Sequence, residues 1–350
     1  MPAVREPERA LATVDLGAIE RNCARLPKPL CAVVKSDGYG HGPVAAAALA
    51  GGATWLAVAA AAEAAELRRQ GIDLPILVMG ALTPAELRVA LEAQADVVAW
   101  TEEVAEAAPR VHVKLDTGMG RLGTKDRDLA LRLALRPNVV GLMTHFATAD
   151  ELGDDLFGAQ LGAFREFVGS VGRDDVTVHA ANSAAALREP ASHFDMVRCG
   201  IAIYGMDPFG VDPAAHGLEP ALSLRSWVGA VRRFEAGDSA GYGRRWSATE
   251  PTWVATVPIG YGDGWRRALT NNCDVLIRGR RHPLVGAVSM DNVTVALGPD
   301  TDVEVGDEVV LIGAQGEERI LAEEVARRLD TINYEVTCAL TPRVRRQYVP

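Results

Sequence analysis

Lys35 closes the apolar run of "AVVKSDGYGHG" (residues 32–42) and is followed at once by a turn-rich segment. A lysine suits the interior of a fold badly, because an unpaired buried ammonium costs several kcal/mol. Similar placements recur along the first part of the chain. Lys114 and Asp116 end "VHVKLD", ahead of "TGMGR" with Arg121; His145 ends "VVGLMTH"; His179 and Asn182 end "VTVHAAN", with Ser183 next; Arg198 lies inside "MVRCGI". Each has an ordinary structural explanation alone, as a satisfied core histidine or a buried ion-pair member. As a set they gather basic and amide groups at one kind of position. "ANS" and "CGI" are small and leave backbone N–H groups open to an anion such as phosphate. A lysine at one strand end and a phosphate site beyond two others suit a phosphorylated aldehyde attached to the lysine, and pyridoxal phosphate (PLP) meets that description. A metal fits less well. His145 and His179 lack the HxxxH or HxH spacing, and their neighbours are cationic rather than anionic.

The elements that must position these residues have two rhythms. From residue 29 to about 205, short β-branched runs alternate with Ala/Leu/Glu-rich helical stretches. The runs are "PLCAVVK", "TWLAVA", "PILVMG", "ADVVAW", "VHVKLD", "VVGLMTH", "VTVHAAN" and "MVRCGIAIYG". Continuously apolar strands belong to a parallel sheet covered on both faces. Eight strand–helix units predict a (β/α)8 TIM-like barrel, an α/β fold whose site lies at the C-terminal strand ends, where the polar residues fall. A doubly wound open sheet is the alternative; it would want a glycine phosphate fingerprint, and "SDGYGHG" has the glycines but a lysine before them. After about residue 218, "TWVATVPIG", "CDVLIRG", "HPLVGAVSM" and "NVTVALG" read as short strands of a mainly antiparallel β-domain, with a helix near "ILAEEVARRLD" (320–330). The expected domains are 10–218 for the barrel and 219–350 for the β-rich part, with residues 1–9 associated with the latter.

Composition narrows the partners. A net charge of −10 and the absence of a dominant Lys/Arg stripe argue against nucleic acid. No apolar run is long enough to span a membrane, and the N-terminus has no signal-peptide core. Five scattered cysteines without a CxxC suggest a reducing compartment, so a cytoplasmic location is expected.

These motifs resemble, in order and over residues 10 to 348, those of alanine racemases of the PLP-dependent, barrel-plus-β-domain type. "AVVKSDGYGHG" is similar to the family's cofactor-lysine motif, with small-residue departures at Ser36 and Gly38. "VKLDTGMGRLG", "THFATAD", "HAANSAAAL" and "VRCGIAIYG" resemble its barrel motifs; "GYGRRW", "VPIGYGDG", "VGAVSMDN" and "INYEVTCALTPRVRRQY" resemble those of its β-domain. The resemblance implies that Lys35 carries PLP and acts as one acid/base, while Tyr242 acts on the opposite face from a partner subunit. It implies that Arg198 faces the pyridine nitrogen and that Tyr39, Ser183, Tyr334 and the N–H groups of Gly200 and Ile201 hold the phosphate, with Asn182 beside them. Arg121 would orient the substrate carboxylate. Lys114 matches a lysine carbamylated in many members, and His145 and His179 would support Arg198. Met290 and Asp291 would line the site from the partner, and Tyr261 and Arg267 would narrow its entrance.

The implied activity is two-base racemisation of L- and D-alanine in a homodimer with shared sites, supplying D-alanine for peptidoglycan. Removing an α-proton from one face and returning one to the other needs two bases on opposite sides of a plane. A racemase of wider range, acting on serine or larger amino acids, stays open at this level. A PLP decarboxylase of the same barrel class would place a glutamate where Arg198 stands. A non-enzymatic PLP-carrying barrel would lack the β-domain.

Overall fold

The structure is a computed structural model that describes residues 8–350. The expected association of residues 1–9 with the β-rich part therefore lies outside the described residues for 1–7. The chain forms two compact units. One contains residues 18–39 and 43–219; the other contains the stretch up to Gly17, Gly40–Gly42 and Pro220–Pro350.

The first strand, β1 (Leu11–Asp15), corrects the expected barrel boundary at residue 10. It pairs within the β-rich unit, antiparallel to β10 (Leu222–Trp227) and parallel to β20 (Arg345–Val349). Its alternating burial is the reason: period-two alternation suits a sheet with one covered face, not a barrel strand buried throughout.

The barrel strands are β2 (Leu30–Val33), β3 (Ala53–Val58), β4 (Ile76–Val78), β5 (Asp96–Ala99), β6 (Val111–Lys114), β7 (Val139–Met143), β8 (Thr177–His179) and β9 (Val197–Cys199). All eight expected runs are strands. They form one parallel sheet in the order β8-β7-β6-β5-β4-β3-β2-β9. No ladder joins β8 to β9; the seam is closed by Asp195 N donating to Val178 O (2.9 Å) and Arg198 N to Ala181 O (2.9 Å). Helices cover the outside, and local sequence starts them. Pro84–Glu92 opens on a capping box in which Thr83 and Glu86 bond each other's backbone N–H groups. Asn182 caps Ser183–Arg188 by accepting from Ala185 N at 3.0 Å.

The β-rich unit adds β11 (Ala230–Phe234), β12 (Ser239–Ala240), β13 (Trp246–Ser247), β14 (Thr252–Val257), β15 (Asp274–Ile277), β16 (Arg280–Val285), β17 (Val293–Gly298), β18 (Glu308–Gln315) and β19 (Glu318–Ile320). Its main sheet runs β11-β14-β17-β16-β15-β18-β10-β1-β20, with β19 on β18, and is antiparallel except at β1–β20. The expected late helix is Ala322–Leu329, followed by a second at Asn333–Cys338. No helix among the described residues is long and apolar enough to cross a membrane.

Candidate active site

Lys35 sits just past β2, at the barrel's C-terminal rim, and the backbone after it is unusual. Ser36, Asp37, Gly38, Tyr39 and Gly40 all have positive φ (54°, 52°, 58°, 54° and 84°). Only the glycines adopt this region freely; each other residue costs roughly 1–2 kcal/mol. The turn therefore needs external support. Glu63 supplies it: Oε1 accepts from Ser36 N at 2.6 Å, while Oε2 accepts from Ala59 N and Ala60 N. Tyr39 emerges buried, its ring 5.0 Å from that of Tyr204.

Arg198 is buried on β9 beside β2, paired in register with Cys31. Its Nη1 donates to His179 Nδ1 at 2.8 Å; its Nη2 donates to Thr144 O at 2.9 Å, Ala180 O at 3.0 Å and His145 Nδ1 at 3.3 Å. Burial lowers the guanidinium pKa to about 10. Both histidines are held well below their ordinary values, first by burial and then by the Arg198 charge. They are neutral acceptors for a group that can only donate.

Lys114 is buried at the end of β6, and its pKa falls to about 8 through burial and then the charges of Arg198 and Arg121. The loop carrying the exposed Arg121 is fixed by Asp116, which accepts from Gly118 N and Gly120 N near 3.0 Å. Asp116 is held below the usual carboxylate range: burial works against it, and the loop N–H groups outweigh burial. At the last two strand ends, Ser183 Oγ accepts from Gly200 N (3.1 Å) and Ala202 N (3.3 Å). A Cβ on Gly200 would lie 2.3 Å from Tyr39 Oη. The barrel thus brings together Lys35, Tyr39, Ser183, Gly200 and Ile201 on one set of loops, and Lys114, His145, His179 and Arg198 beneath them. Asn182 spends its side-chain oxygen on its helix cap.

Three further residues were not singled out from sequence. His112 Nδ1 lies 2.7 Å from His179 Nε2, and His112 Nε2 lies 3.2 Å from Asp96 Oδ2. Asp96 in turn accepts from Arg110 at 2.7 and 3.1 Å. The signal was a charge opening an apolar strand, "ADVVAW", and a histidine inside the next, "VHVKLD".

The β-rich unit carries the other expected residues. Tyr242 is 75% exposed on a turn between Gly241 (φ 70°) and Gly243 (φ 71°). A cavity of about 390 Å³ beside it is lined by Gly241, Tyr242, Ala287, Ser289, Asn292, Val293 and Thr294. Tyr261 and Met290 are also exposed, and their loops are laced together: Tyr261 N donates to Ser289 O and Gly262 N to Met290 O. Asp291 is engaged by Arg343 (2.6 Å) and Arg9 (3.4 Å), both of which also pair with the buried Asp263. Its carboxylate therefore braces the loop rather than standing free. Arg267 is exposed, and Tyr334 is half-buried in Asn333–Cys338.

A barrel with a cation-rich, donor-rich C-terminal rim, joined to an antiparallel domain that presents tyrosines, defines an isomerase of the racemase class. Residues 14–208 match the alanine racemase N-terminal domain family and residues 221–348 its C-terminal domain family, so the chain belongs to the alanine racemase family. It is 42% identical to an alanine racemase of Symbiobacterium thermophilum, covering 96% of both chains. It is 40% identical to alanine racemase 1 of Bacillus subtilis, over 97% of this chain and 92% of that one. Among solved structures, alanine racemase from E. faecalis superposes with TM-score 0.91 at 38% identity, covering 99% of each chain. The Bacillus anthracis enzyme with bound L-Ala-P gives 0.89 at 39% identity, over 100% of this chain and 96% of that one. The chain is an enzyme that racemises alanine.

Proposed function

We propose that this racemisation uses PLP carried on Lys35, with Lys35 and Tyr242 as acid–base groups on opposite faces of the substrate. The observation that carries the reading is the rim itself: a lysine, an all-donor phosphate cradle and a buried arginine share one barrel mouth. The cradle fits the group. The Tyr39 and Ser183 hydroxyls and the Ile201 N–H would donate to it, beside the Gly200 N–H that here donates to Ser183 Oγ, and the missing Cβ of Gly200 is what lets the Tyr39 hydroxyl lie against this turn. Tyr334 would add a hydroxyl to the same phosphate, with Asn182 beside it.

PLP, when bound, withdraws electrons from the α-carbon and so acidifies its proton. The rest of the work belongs to the chain. Lys35 Nζ takes or returns the α-proton on one face, and Tyr242 Oη does so on the other. Arg121, with Met290, orients the substrate carboxylate. Arg198 would face the pyridine nitrogen; a guanidinium does not readily give up its proton, so Arg198 would leave that nitrogen unprotonated and suppress misplaced protonation. His145 and His179 hold Arg198. Lys114, with much of its population neutral near pH 8, is a nucleophile available for carbamylation, which would set a negative group against Arg121. Tyr261 and Arg267 narrow the entrance, and Asp291 supports it.

Tyr242, Tyr261 and Met290 are large exposed side chains of one unit, the kind of surface that a second copy covers. A homodimer in which Tyr242 enters the partner's site follows. The buried thiols of Cys23, Cys31, Cys199 and Cys273, none of them in a disulfide, suit a reducing, cytoplasmic setting, where the product would feed peptidoglycan.

The test is exchange of the α-hydrogen of L- and D-alanine in heavy water, with Lys35→Ala as control. Exchange with inversion, lost in the variant, is expected. Exchange with retention, or persistence in Lys35→Ala, would overturn the roles assigned here.

A further inference from the structure

A continuous line of hydrogen bonds threads the barrel from its N-terminal end to the buried arginine. Arg110 precedes β6 and is 55% exposed; Asp96 opens β5 and is 4% exposed; His112 and His179, inside β6 and at the end of β8, are fully buried. The links are Arg110–Asp96 (2.7 Å), Asp96–His112 (3.2 Å), His112–His179 (2.7 Å) and His179–Arg198 (2.8 Å).

Donor counting fixes every proton on this line. Arg198 only donates, so His179 Nδ1 accepts and His179 Nε2 carries the hydrogen. That N–H points at His112 Nδ1, which must accept. His112 Nε2 then carries the hydrogen and donates to Asp96, which as a carboxylate only accepts. The two ends demand the same pair of tautomers. His112 also has a prepared seat. Gly141 stands opposite it on β7, and a Cβ there would fall 2.1 Å from His112 Nδ1. Trp55 closes the other side, edge-on at 5.5 Å. The Asp96 carboxylate stays ionised because hydrogen bonds from His112 and Arg110 outweigh its burial.

We propose that Asp96 and His112 are positioning residues for the racemase reaction, which through His179 fix the acceptor that holds the Arg198 guanidinium in place. The negative end polarises the two rings in sequence, so that His179 Nδ1 becomes a better acceptor for a cation buried without a carboxylate in direct contact. The inference rests on the reading that Arg198 faces the cofactor's ring nitrogen, and it adds the device that keeps it there.

The test uses the PLP-loaded enzyme labelled with ¹⁵N in histidine and in the pyridine nitrogen. In the unaltered enzyme, His112 and His179 should each show a protonated Nε2 and an unprotonated Nδ1. In Asp96→Asn the fixed pattern at His112 should give way to a tautomer mixture, and the pyridine nitrogen signal should shift. Its kcat should fall about tenfold, with KM changed less than about twofold. Arg110→Met, which leaves the barrel interior intact, should move the same signals less and serves if Asp96→Asn does not fold. A doubly protonated His112, a protonated His179 Nδ1, or unchanged ring signals and kcat in a folded Asp96→Asn would overturn the proposal. A pyridine nitrogen indifferent to Arg198→Lys would instead strike at the cofactor reading and leave the histidine assignments standing.

Discussion

The barrel rim and the Tyr242 turn hold the side chains to which we assign the chemistry in opposite ways. At the rim, Arg198, Lys114 and His179 are buried, and Arg198 and His179 are held in a closed hydrogen-bond set. Their properties are set by desolvation and by one another's charges. Tyr242 is exposed, hinged between two left-handed glycines, and seated through backbone: a Cβ on Gly241 would come within 3.2 Å of Ala287 N and O. A change at the rim alters fold and chemistry together, whereas a change at the turn reaches chemistry alone.

The largest effect should come from Tyr242→Phe. If Tyr242 is the acid–base group proposed above, its loss lowers kcat by about 10²- to 10⁴-fold. An exposed hydroxyl leaves stability within about 0.5 kcal/mol. Mixing this variant with Lys35→Ala under subunit exchange should restore one good site per heterodimer. A large loss of melting temperature, or no recovery on mixing, would break the contrast.

Gly200→Ala should come next. Its Cβ has no room beside Tyr39, so PLP affinity, read by fluorescence titration, should fall about tenfold, or ~1.4 kcal/mol. Tyr39→Phe in the same chain should not restore it, because the ring carbon beneath the hydroxyl lies at 2.8 Å. Unchanged affinity would mean that the cradle is not where phosphate sits.

A third effect, on stability rather than on turnover or cofactor affinity, concerns Lys114. Its pKa drops from 10.5 to about 8 on folding. Between those values the unfolded chain binds more protons, so stability rises with pH across that window, and the full penalty, up to about 3 kcal/mol, applies below it. Lys114→Met should therefore be the more stable chain at pH 7 in CO₂-free buffer, with the difference vanishing above about pH 10.5. If bicarbonate reverses the order, carbamylation has turned the penalty into an ion pair with Arg121.

Much of this was legible because the barrel repeats one local rule. Each strand is a short apolar run, and a polar residue at its end has few other reasons to be there. Lys35, His145 and His179 were singled out that way, and Arg198 as a charge inside such a run. The β1 strand was not, because "LATVD" carries no mark of its partners, and its register is set by chain more than two hundred residues away. His112 and Asp96 were hidden for a different reason. Each looks like a tolerated oddity within its own run, and only the parallel register of β5 and β6 makes them neighbours. The left-handed turn was hard to see too, since of its non-glycine residues only Asp37 is of a type that favours positive φ, and Ser36 and Tyr39 are not.

That turn has a stereochemical corollary. From Ser36 to Gly38 the backbone follows the mirror image of the ordinary helical turn, and positive φ continues through Tyr39 and Gly40. It is the hand in which a D-residue is relaxed and an L-residue is strained. In a chemically assembled chain, D-residues at Ser36, Asp37 and Tyr39 would each relieve roughly 1–2 kcal/mol of backbone strain, although their side chains would leave in new directions. An enzyme that interconverts the two hands of alanine thus keeps, next to its lysine, one short length of its own chain wound in the other hand.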